Sequence, residues 1–126
     1  QLASIGRPLL TLEQWGEAET LLRECLTIRE KAQPEAWRTF DTRSLLGAAL
    51  LGQQKYAEAE PLLLDGYRGM KERESTIPPA AASRIPETIE RLVQLYEARG
   101  KAREAAEWRS QLAAEPAPPG GPPQPR

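Results

Sequence analysis

The sequence predicts an all-α protein, a solenoid of about three stacked helical hairpins, and three observations carry that prediction. The first is a repeated spacing. Tyr56 is followed by Ala59, Leu63, Gly66, Tyr67 and Met70, intervals that put all six on one face of a helix. Forty-one residues earlier the same lattice holds Trp15, Ala18, Leu22, Cys25, Leu26 and Arg29, and forty-six residues later it holds Ala102, Ala105, Arg109, Leu112 and Ala113. Self-similarity at that period marks helical units that bury their apolar faces against one another. The second is composition. The small core landmarks are mostly Ala, Leu and Gly, with Val only at 93 and Ile only at 5, 28, 77, 85 and 89, which suits close helix packing better than a β-branched sheet face. The third is punctuation, with Pro34, the run Gly52, Gln53, Gln54 and then Gly100 falling between the apolar stretches.

Each element follows from local pattern. Leu2, Ile5, Leu9 and Leu12 stand at helical spacing with Pro8 between them, the end of a first helix. Because the chain opens with Gln1 inside the repeat pattern, the reading is of a segment from a longer protein whose array continues upstream. A second helix is predicted over Trp15–Ala32, with Glu17 and Glu19 in its first turn, Arg29 and Lys31 in its last, and Pro34 to stop it. A third covers Trp37–Gly52, polar at its start and apolar from Leu45 to Leu51, and a fourth covers Tyr56–Glu74, with Pro61 about one turn in and a slight bend expected there. Ser75–Pro86 reads as a loop with a short helical turn at Pro79–Ser83. The fifth helix is predicted from Pro86, a good first helical position, to Arg99, with Ile89, Leu92, Val93 and Tyr96 inward. The sixth runs Lys101–Ala114. Residues 116–126 are too rich in Pro and Gly to pack and are expected to be a disordered tail. The expected organisation is one repeat domain over 1–115, with repeats at about 1–33, 35–75 and 79–115, followed by that tail.

Composition narrows the chemistry. A net charge of −1 with both signs interspersed argues against a nucleic-acid partner, which would need clustered Lys and Arg. No apolar run approaches the twenty residues that a membrane span requires, and no signal-peptide pattern opens the chain. A single cysteine cannot form an internal disulfide, which suits a reducing, cytoplasmic setting. The absence of histidine removes the commonest general base and the commonest metal ligand together. Carboxylate pairs such as Glu58 with Glu60 and Glu104 with Glu107 sit in first turns, where the helix dipole explains them. Cys25 lies on the core lattice and reads as a buried small residue. No enzyme activity, metal or cofactor is implied. Pro122, Pro125 and Arg126 have the spacing of a proline-recognition motif, but composition alone accounts for it in such a tail.

At this point the residues resemble a known family. The order Leu46, Gly47, Leu50, Gln54, Tyr56, Ala59, Leu63, Gly66 is similar to the tetratricopeptide signature, and Leu92, Tyr96, Gly100, Ala102 and Ala105 match it better at the turn. The period of 41 exceeds the usual length of about 34, and YAEAEPLL resembles the longer repeats of kinesin light chains and their bacterial relatives. AEAEPLL, WRTFDTRSLLG and LVQLYEARGK together resemble the repeat region that ends planctomycete-type bacterial serine/threonine protein kinases, although no kinase motif is present. The first copy departs, with Glu13 where the family prefers glycine and Leu9 where it prefers tyrosine. The resemblance implies a right-handed superhelix and a non-catalytic protein-interaction scaffold within a larger bacterial signalling protein. A protein or peptide partner would lie in the groove formed by the first helix of each hairpin. Transferred copy by copy, the groove positions are Arg7 and Thr11, then Asp41, Ser44 and Ala48, then Glu87, Glu90, Arg91, Gln94 and Glu97, with Trp37 as the best surface anchor among the tryptophans. Glu90 and Leu45 stand where carboxylate-clamping relatives use Lys and Asn, which favours a basic or mixed ligand at the third copy. The competing expectations are a spacer or self-association segment without a ligand, and an appendage that docks in cis on a kinase domain.

Overall fold

The computed structural model describes residues 12–115, and its element order is five α-helices with two short 3₁₀ turns between the third and fourth. Arg7, Thr11, the opening helix and the tail lie outside the described residues. Helix α1 spans Leu12–Ala32 and begins three residues before the predicted start. It stops where Pro34 rules out further helix, and the turn is closed by the Thr39 hydroxyl, which donates to the Gln33 carbonyl at 2.6 Å. Helix α2, Trp37–Gly52, and helix α3, Tyr56–Glu72, form one hairpin; α4, Arg84–Ala98, and α5, Ala102–Ala114, form the next.

Both hairpin turns use the same device. Lys55 N–H donates to the Leu50 carbonyl and Gln54 N–H to the Leu51 carbonyl, each at 2.9 Å. Forty-six residues on, Lys101 donates to Tyr96 at 2.8 Å and Gly100 to Glu97 at 3.1 Å. These are the paired bonds of a Schellman cap, which requires a left-handed residue just past the helix. Gly100 supplies it at φ +73°, where glycine has no Cβ to clash; Gln54 supplies it at φ +64°, where a side chain is strained.

Further boundaries differ from the sequence reading, those of α4 at Ala98 and α5 at Ala102 by one residue each. Helix α3 ends at Glu72, not Glu74, and Glu74–Thr76 forms a 3₁₀ turn in which the Thr76 hydroxyl donates to the Arg73 carbonyl at 2.7 Å. The expected helical turn in the loop is present as Pro79–Ala81. Helix α4 starts at Arg84, so Pro86 is its third residue; the first four N–H groups of a helix have no internal partner, and a proline there removes no bond. Pro61 lies inside α3, exposed, and the helix continues unbroken through it.

Helix α2 is the centre of the packing, with α1 and α3 along its length and α4 across its inner edge. The lattice is the core: Ala18, Leu22, Leu46, Leu50, Ala59, Leu63, Leu92, Leu95 and Ala105 are fully or nearly fully buried, and Trp15, Tyr56 and Tyr67 pack against them half-buried. Cys25 is buried, as the lattice requires. A second cluster of Met70, Ile85 and Ile89 is covered by Ile77, Phe40, Trp108 and Leu112. Trp108 meets Tyr67 edge to face, centroids 5.0 Å apart, so this tryptophan is packing rather than anchor. Helix α5 is thinner than its lattice suggests: Ala105 is buried, Leu112 is half-buried, and Ala102, Arg109 and Ala113 are exposed, as befits a helix with neighbours on one side. Its far end is tied down by Lys71, whose ammonium meets the Glu115 carboxylate at 2.9 Å.

Candidate interaction surface

The first helices of the two described hairpins, α2 and α4, touch through polar groups. The Ser44 and Thr88 hydroxyls lie 2.5 Å apart, both fully buried, and Arg91 donates to Ser44 Oγ at 3.0 Å. One turn earlier on each helix, Arg84 donates to Asp41 Oδ2 at 3.1 Å. Residues 41 and 44 are three apart on α2, and 84, 88 and 91 follow helical spacing on α4, so each set is one stripe and the stripes face each other. Asp41 is 6% exposed. Burial pushes its carboxyl above the ordinary value, opposed by the charges of Arg84, Arg91 and Arg29 and reinforced by Glu87. Its second oxygen, Oδ1, is buried with no hydrogen-bond partner among the described residues.

This arrangement separates the expected groove residues. Asp41, Ser44 and Arg91 come together in the seam, where the two α2 residues are buried and bonded across to α4. Ala48 and Glu87 are half-buried beside it, and Glu90 and Gln94 are exposed on α4. Glu97 is turned to the second helix of its own hairpin, where it pairs with Arg109. Trp37 is half-buried at the start of α2, with the Arg38 guanidinium 5.3 Å from its ring centroid.

Trp37 also lines a cleft of about 480 Å³ where the end of α1, the start of α2 and residues 78–84 meet. Its walls include Cys25 and Arg29 of α1, Arg38 and Asp41 of α2, and Arg84 of α4. Sequence reasoning passed over Arg29, Arg38, Arg84 and Thr88 as site residues. The helical spacing of Arg84, Thr88 and Arg91 was a readable signal, but nothing local says which helix that stripe meets.

The comparisons with known proteins bear on the first part of the chain. Residues 2–32 match a family model described as Tetratricopeptide repeat. That stretch is similar to a tetratricopeptide repeat. The match ends at the last residue of α1, and the two described hairpins after it are each helix–turn–helix units that share one turn geometry with each other. The chain matched none of the curated proteins and none of the solved structures it was compared with. Among the described residues no helix is long and apolar enough to cross a membrane.

Proposed function

We propose that this chain is a non-catalytic interaction module that holds an extended segment of a protein partner along the inner faces of α2 and α4. The observation that carries this reading is the polar seam. Helices that meet only to bury each other do so through apolar side chains, as α2 and α3 do, whereas α2 and α4 meet through hydroxyls, a carboxylate and guanidinium groups. Such a seam fixes α2 and α4 side by side through directional bonds, with Glu90 and Gln94 exposed on α4. Stacked helical hairpins present this kind of extended surface in repeat proteins generally, and the tetratricopeptide match at residues 2–32 supports the same use here.

The test is a peptide array probed with the full chain and with a Glu90→Lys, Gln94→Lys variant. An interaction module captures a discrete set of peptides, and reversing charge on the exposed stripe of α4 changes that set. A chain that captures nothing, or a variant whose set is the same as the parent's, would refute the reading and leave a spacer role in its place.

A further inference from the structure

The cleft at the start of α2 holds more positive charge than its own residues balance. Arg29, Arg38 and Arg84 reach it from three different helices, and Asp41 is the one acidic residue among those lining it. The chain as a whole is nearly neutral, at −1. Asp41 compensates Arg84, with which it is paired. Of the other two, Arg29 also feels the Asp41 charge but has its own hydrogen bond to a neutral atom, Nε donating to Cys25 Sγ at 3.3 Å, and Arg38 lies over the Trp37 ring. Five other arginines among the described residues, Arg23, Arg43, Arg73, Arg99 and Arg109, each face a glutamate, while Arg91 bonds Ser44 and Arg68 and Arg103 are exposed. A thiol sulfur and a ring face are weak partners for a fork of N–H donors that matches a carboxylate.

The second observation is the half-buried Trp37 ring in the wall of the same cleft. A simple inorganic anion would satisfy the arginines and make no use of this ring. A peptide carries both groups: an acidic side chain and apolar atoms beside it that a ring can cover.

We propose that this cleft seats an acidic residue of a bound peptide, its carboxylate taken by Arg29 and Arg38. Trp37 forms the apolar wall beside it. The inference rests on the interaction-module reading and adds the sign of the ligand at one end of the surface. It also separates two regions: an acidic residue at this cleft, and basic or polar residues along the exposed Glu90 and Gln94 stripe.

Fluorescence anisotropy of a labelled hexaglutamate peptide against the full chain tests it, with a hexaglutamine peptide as control. The expected result is binding of the glutamate probe, none of the glutamine probe, and a loss of about tenfold or more in Arg29→Gln, Arg38→Gln, the size expected when charge-assisted hydrogen bonds are removed. The Arg38→Gln single variant changes only an exposed side chain and gives a partial loss even if the double variant folds poorly. Equal binding by the parent and both variants overturns the proposal, as does equal binding of the two probes. Inorganic phosphate displacing the probe as well as unlabelled hexaglutamate would make this a bare-anion site and overturn the peptide assignment. If the glutamate probe fails while the array still yields peptides sensitive to Glu90 and Gln94, the cleft assignment alone falls; an empty array removes both.

Discussion

Replacing Gly66 by alanine should destabilise the protein, whereas the same replacement at Gly16 should stabilise it. Both glycines are inside helices, where alanine is favoured by about 1 kcal/mol. The difference lies across the packing. A Cβ on Gly66 would stand 2.8 Å from the Phe40 carbonyl oxygen and 3.1 Å from both Ser44 N and Ser44 Cβ. Two of those three atoms are backbone, so no side-chain rotation relieves the contact and α2 must move away from α3. Overpacking of this kind costs about 1 to 3 kcal/mol, and displacing Ser44 also loosens its contact with Thr88. Subtracting the propensity gain leaves a net loss of up to about 2 kcal/mol, or up to about 8 °C in Tm for a domain of this size. At Gly16 the nearest atom to a new Cβ is Gln53 Oε1 at 3.9 Å, ordinary contact, so the gain of about 0.5 to 1 kcal/mol is realised. Urea denaturation midpoints and thermal melts by circular dichroism measure both. A Gly66→Ala protein as stable as the parent, or shifts of the same sign at both sites, would refute the reasoning that α2 and α3 touch through backbone at residue 66.

Three further outcomes follow from burial, turn geometry and titration. Ala59→Leu should lower the denaturation midpoint by about 1 to 3 kcal/mol equivalent while Glu58→Leu changes it little, because Ala59 is fully buried and its neighbour is exposed; equal midpoints would dissolve the lattice assignment. Gln54→Gly should raise stability by about 0.5 to 1 kcal/mol and Gly100→Ala should lower it by about 1, since both residues hold left-handed backbone; a Gln54→Gly variant that melts lower would contradict the cap geometry. Tyr96 is pushed up to about 12 by burial and by its hydrogen bond to Glu60, at 2.8 Å. Its folded value lies above the unfolded one, so its contribution is complete below about pH 10 and lost as pH rises toward 12. Alkaline melts should show that loss, and Tyr96→Phe should flatten the part between those limits; an unchanged profile would detach Tyr96 from Glu60.

Much of this architecture was legible because helices and their turns are specified by neighbours in sequence. The lattice from Tyr56 to Met70 and its copy at Trp15 named the buried residues of α1 and α3 before any packing was known, since a 3.6-residue period fixes which side chains share a face. The glycine at 100 and the run at 52–54 marked the turns for the same local reason. The lattice could not say how near the facing helix comes: one register position holds Cys25, Gly66 and Leu112 in successive copies, and only the packed helices show that α2 reaches α3 closely enough to require glycine.

The polar residues mark where tertiary structure took over. Sequence alone determined that Asp41 and Ser44 share a stripe on α2, and the resemblance made that stripe a groove. Whether a carboxylate or hydroxyl on such a stripe meets water or is buried depends on a partner, because burial without one is costly. The partners are Arg84 and Thr88, 43 and 44 residues further along the chain. The longer connection between α3 and α4, with its two 3₁₀ turns, is what sets Arg84 opposite Asp41 and closes the cleft against Arg29 and Arg38. Periodicity carries no information about that distance in space; only the stacking of one hairpin on the next decides it.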